Sequence, residues 1–117
     1  MNLRETILSA QDSKRISVEV PEWGVTVYLR TLSGIERDAF EGGLVKGKGR
    51  HRTPDLANLR ARLVALCAVD ADGKRIFADD DIPALGGKAA APLDRLFSAA
   101  QELNSLSDKD VEDLEGN

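Results

Sequence analysis

The chain has 117 residues, 42% of them hydrophobic and 31% charged, with a formal net charge of −4 at pH 7. That is the length of a single domain, and the composition excludes a chain too polar to build a core. No apolar run nears the ~18 residues that cross a bilayer, so no membrane partner is expected.

Met1-Asn2-Leu3-Arg4-Glu5 is too charged to open a signal peptide, and a single cysteine, Cys67, leaves no internal disulfide. Leu3, Ile7 and Leu8 behind Asn2 predict a short helix over 2–10. Over 15–30 the period changes to two: Ile16, Val18 and Val20, then Val25, Val27 and Leu29, flank Pro21-Glu22-Trp23-Gly24. This predicts a hairpin with Val20 opposite Val25, Val18 opposite Val27 and Ile16 opposite Leu29, because a one-residue slip would bury Thr26 and Tyr28 instead. The turn should be type I, closed by a left-handed Gly24.

Ser33 and Glu36 form a capping-box pattern at the head of a helix over 33–43, with Ile35, Ala39 and Phe40 on one face. Residues 44–53 are glycine-rich and basic, and are expected to be an exposed loop. Thr53-Pro54-Asp55 reads as the start of a core helix over 54–69, striped by Leu56, Leu59, Leu63, Leu66 and Cys67. A turn over 70–78 follows, with Ile76-Phe77 pairing back on Ala68-Val69 as a mini-hairpin. A short helix over 80–86 is capped by Asp79 to Asp81. The next helix, over 88–104, turns Leu93, Leu96, Phe97, Ala100 and Leu103 to one side, with Pro92 in its first turn. Ser107, Leu106 and Val111 predict a stapled acidic helix over 107–115. The expected fold is α+β and mainly helical: an N-terminal antiparallel β-hairpin packed on a small bundle of about four to five helices, in one domain over 1–117.

Chemistry-bearing motifs are scarce. Residues 42–49 approach a phosphate-binding loop but place Gly49 where a hydroxyl should hold magnesium, and they follow a helix rather than a strand. Counted from Asp70, an EF-hand would need glycine and glutamate where Arg75 and Asp81 stand, so those acids read as a turn and a cap. His51 and Cys67 fall on different elements, and no pair of acids shares a buried pattern. No catalytic residue, metal site or cofactor is expected.

Charge and aromatic placement point instead to partner surfaces. Lys46, Lys48, Arg50 and Arg52 crowd the middle loop, while Glu102, Asp108, Asp110, Glu112, Asp113 and Glu115 make the C-terminal region acidic. The loop could be solvated, or pair with an acidic segment of its own chain or a neighbour's. Net acidity and the lack of an aromatic near the loop argue against nucleic acid. Trp23 either folds over the helices to complete the core or anchors a partner, and Tyr28 would extend such a surface.

The stretch from Val20-Pro21-Glu22-Trp23-Gly24 through Leu32-Ser33-Gly34-Ile35-Glu36-Arg37-Asp38-Ala39-Phe40-Glu41 resembles the tail assembly chaperones of long-tailed bacteriophages. The likeness continues in Arg60 to Leu66, Val69 to Phe77, Asp80-Asp81-Ile82, Leu93-Asp94-Arg95-Leu96 and Leu103 to Ser107, and skips 43–53. The resemblance implies a non-enzymatic protein of the host bacterial cytoplasm, absent from the mature virion. It would bind the tape measure protein, keep it soluble and help recruit tail tube subunits, with self-association possible. The alternative is a structural virion protein, such as a tail completion or connector component.

Overall fold

The structure is a computed structural model that describes residues 1–47 and 49–106. The two valine-rich runs form β1 (Arg15–Val20) and β2 (Val25–Arg30), antiparallel and in the register that alternation predicts. Between them Pro21–Trp23 make one 3-10 turn, and Gly24 closes it at φ 65° with its N–H on the Pro21 carbonyl at 3.1 Å. Proline fixes the first φ of this turn, and glycine takes the left-handed value at no steric cost. Val20, Val27 and Leu29 are buried beneath the hairpin.

Before the hairpin lies α1 (Leu3–Ser9), capped by the Asn2 side chain accepting from the Glu5 N–H at 2.8 Å. It buries none of its residues. After the hairpin, α2 (Gly34–Gly42) carries the full capping box: Glu36 N–H donates to Ser33 Oγ, and Ser33 N–H donates to Glu36 Oε1 at 2.9 Å. Its core contact is Phe40; Ile35, expected on the same face, is 83% exposed.

The segment expected to be a plain loop pairs with itself. β3 (Val45–Lys46) and β4 (Thr53–Pro54) form a small antiparallel ribbon, and Leu44 just before it is buried. Thr53-Pro54 is therefore not a helix start. Arg62 explains why: its guanidinium donates to the Gly43 carbonyl at 2.7 Å and to the Asp55 carbonyl at 2.5 Å, and Asp55 N–H reaches Leu44 O at 2.7 Å. These bonds draw both ends of the ribbon together, and tertiary contacts override a local cap preference. The helix α3 (Leu59–Cys67) begins five residues later than Pro54, after Asn58 at φ 54°.

Ala61, Leu63, Val64, Ala65 and Cys67 of α3 are all buried, so its apolar surface wraps almost the whole helix rather than one stripe. Leu56, placed at the head of that stripe by the sequence, lies outside the helix and is 37% exposed. Beyond α3 the chain enters β5 (Ala68–Val69), which pairs with β2 through Leu29↔Ala68 and Tyr28↔Val69 and makes a three-stranded sheet in the order β1-β2-β5. Ile76 N–H returns to the Ala68 carbonyl at 3.1 Å, closing the expected mini-hairpin. Asp70 Oδ1 accepts from Asp72 and Lys74 N–H, the local bonding that makes aspartate a turn residue.

A 3-10 turn at Asp79–Asp81 leads into α4 (Ile82–Gly86), and α5 (Ala90–Leu103) buries Pro92, Leu93, Leu96 and Ala100. Helices α4 and α5 and the sheet all pack on α3. At the end of α5, Asn104 Oδ1 accepts from Leu32 N–H at 2.7 Å while its Nδ2 donates to the Ala100 carbonyl at 3.0 Å. One amide thus ties the α5 terminus to the approach of α2. The acidic helix expected over 107–115 lies outside the described residues.

Candidate partner-binding surface

The hairpin turn sets Trp23 over α4. Its indole is half-buried against the core and opens onto a cleft of about 380 Å³ lined by Ile76, Phe77, Asp81, Ala84, Leu85 and Lys88. Trp23 therefore both packs on the body and lines a cleft open to the outside. Ile76 in the same cleft is 44% exposed. The turn is fixed from the other side by Arg95 of α5, which holds Glu22 through paired bonds of 2.7 and 2.8 Å. Those bonds pull the Glu22 carboxyl down to about 2.

Tyr28 stands on the opposite face of the hairpin. The Arg15 guanidinium lies 5.1 Å from its ring centroid and is itself held by the Ala71 carbonyl at 3.0 Å. The rest of that face carries Ser17, Glu19 and Thr26, which are exposed and polar. Tyr28 thus sits beneath a stacked cation, away from the Trp23 cleft.

Lys46, Arg50 and Arg52 are exposed on the β3–β4 ribbon, with His51 between the last two; Lys48 lies outside the described residues. None of the three makes an ion pair among the described residues. Gly47 is required in the turn: at φ 87° a Cβ there would come within 2.2 Å of the His51 carbonyl oxygen. The expected contact residues therefore occupy three separate places and share no cleft.

Two features escaped sequence reasoning. Ile76, Phe77 and Leu85 join Trp23 through the mini-hairpin and α4, elements that local patterns announce without saying where they dock. The apolar residues of the N-terminal segment were visible as a helical stripe, but not their exposure: Met1, Leu3, Ile7 and Leu8 are 90%, 75%, 62% and 69% exposed. No hydrogen bond or ion pair ties α1 to the rest of the described residues.

Beneath the surface, polar groups are held by close partners. Arg30 grips Glu36 with bonds of 2.7 and 2.6 Å and also donates to the Leu66 carbonyl at 2.8 Å, holding the Glu36 carboxyl down at about 2. Burial pushes the Cys67 thiol up to about 11, and Asn104 Nδ2 approaches its sulfur at 3.6 Å. His51 is on the exposed ribbon and does not meet it. No helix among the described residues is long and apolar enough to cross a membrane.

A sequence model of the phage tail assembly chaperones matches residues 2–117. The chain belongs to that family. It is a family of chaperones and not of enzymes. The solved tail assembly chaperone of bacteriophage HK97 shares this chaperone's fold, with a TM-score of 0.60 at 23% identity over 90% of this chain and 96% of that one. The match supports the α+β architecture of hairpin and helices described above. No curated protein matches the sequence.

Proposed function

We propose that this chaperone binds the tape measure protein in the host bacterial cytoplasm, keeps it soluble and helps recruit tail tube subunits during tail assembly. The observation that supports the reading is apolar surface left uncovered among the described residues: the Trp23 cleft and the stripe of α1. A long helical client exposes apolar stripes of its own, which aggregate when bare. A helix laid in a short apolar cleft covers such a stripe over a small area, which suits a contact that must later be released.

Co-expression with the tape measure protein tests this directly. The native chain should raise the soluble fraction of the client and co-purify with it, while Ile76→Ser combined with Leu3→Ser and Ile7→Ser should lose both effects without unfolding. No change in client solubility with the native chain would overturn the reading. Mass spectrometry of purified particles separates it from a structural role, since a chaperone should be missing where a completion or connector protein would be present.

A further inference from the structure

The β3–β4 ribbon is a concentration of positive charge that the body leaves unanswered. Lys46, Arg50 and Arg52 project from one small hairpin, all exposed and without an ion pair among the described residues. Of the nearest acids in sequence, Glu41 is engaged with Arg37 at 3.0 Å, and Asp55, held through its backbone carbonyl by Arg62, makes no ion pair with these cations among the described residues. The close approach of Gly47 to His51 fixes the turn, so these cations do not simply splay apart as a disordered loop would allow.

The complementary charge lies in the segment beyond Leu106. Residues 107–117 contain Asp108, Asp110, Glu112, Asp113 and Glu115 against a single Lys109. The root of that segment is well placed. Leu106 is buried, with its N–H on the Gln101 carbonyl at 2.8 Å, and the neighbouring Asn104 carbonyl accepts from Arg37 Nη1 at 3.3 Å. The last described residues, Asn104 to Leu106, thus lie within reach of Arg37 in the middle of α2. From Arg37 the rest of α2 rises only ~8 Å to Gly42, at about 1.5 Å per residue, and the ribbon opens three residues later. Eleven residues reach up to ~36 Å when extended, ample to follow that path.

We propose that the acidic segment 107–117 docks on the basic β3–β4 ribbon of its own chain, as an electrostatic strap running along α2. The contact is between exposed charges, so it is screened by salt and can be displaced by a stronger polyanion or by a partner with acidic residues. It is independent of client binding at the Trp23 cleft.

Carbodiimide cross-linking of the full-length chain, made as an equal mixture of ¹⁴N- and ¹⁵N-labelled protein, tests the strap. At low salt Lys46 should form amide links to carboxylates of residues 108–115, in peptides of a single isotope. Lys74 and Lys88, which lie off this path, serve as proximity controls. The Lys46 links should fall about tenfold near 1 M salt, where the screening length shrinks to ~3 Å. They should fall as far at low salt in Arg50→Glu/Arg52→Glu, whose changes lie on exposed positions; the salt arm needs no variant at all. Links absent at low salt, no more frequent than those of the control lysines, or unmoved by salt would overturn the proposal. So would mixed-isotope peptides in the statistical share expected of links between copies, which would place the segment on another copy.

Discussion

Helices α1 and α3 begin from similar sequence patterns, with leucines and isoleucines at three- and four-residue spacing, and end in opposite environments. Every residue of α1 is exposed, whereas five of the nine residues of α3 are buried. Helical spacing specifies a face, but only the rest of the chain decides whether that face meets anything. α3 is surrounded because β2, α4 and α5 all converge on it. α1 has seven residues, well short of the ~12–15 at which isolated helices become even marginal in water, so its order depends on its Asn2 cap and on whatever covers its stripe.

Truncation should expose this contrast most sharply. Leu63→Ala removes a fully buried side chain from α3 and should cost about 2–5 kcal/mol in urea unfolding. Ile7→Ala in α1 should change the isolated chain by less than ~0.5 kcal/mol. A comparable loss at Ile7 would mean that α1 packs on the body in solution.

Next in size is Arg30→Ala, which strips Glu36 of its paired partner and leaves the Leu66 carbonyl without that donor. About 1.5–3 kcal/mol should be lost at neutral pH, the range for hydrogen bonds to charged groups. The pH dependence sharpens the point. Glu36 sits at about 2 in the folded chain against an ordinary 4.5, so its contribution is complete above pH 4.5 and vanishes as the pH falls through 2. Stability of the native chain should decline across that window, and Arg30→Ala should decline less steeply. A residual slope should remain, because Glu22 is held down by Arg95 over the same range.

Gly47→Ala should act locally. Its Cβ collides with the His51 carbonyl in a left-handed backbone, a strain of about 1–3 kcal/mol that the small ribbon must absorb. Hydrogen exchange should show the Asp55 amide, bonded to Leu44 O, losing protection while amides of α3 keep theirs. The smallest effect on stability belongs to Leu3→Ser with Ile7→Ser, under ~0.5 kcal/mol by thermal unfolding. A fold that loses nothing there yet fails to protect its client would assign the α1 stripe to binding alone.

Much of the fold was legible in local patterns. The hairpin register followed from alternation, the turn from proline and glycine, and the α2 start from Ser33 and Glu36. The start of α3 was not legible, because the Thr53-Pro54-Asp55 signal lost to a pairing organised by Arg62 from the following helix. The docking of β5 was equally hidden: the mini-hairpin at Ala68-Val69 was read locally, but not its addition to the edge of β2 as a third strand. The candidate surface was half visible. Trp23 stood out by type, but Phe77 and Leu85 reach it through long-range packing, and Tyr28 was placed on the right face without any sign of Arg15 stacked on it.

The position of the only thiol gives the molecule a built-in clock. Cys67 has no solvent exposure in the native fold, and few of its molecules are thiolate near neutral pH. A maleimide or an aromatic disulfide should therefore label the chain only as fast as α3 opens to solvent. Binding partners that steady the body should slow that reaction, so occupancy could be followed by reagent uptake without adding any dye or tag.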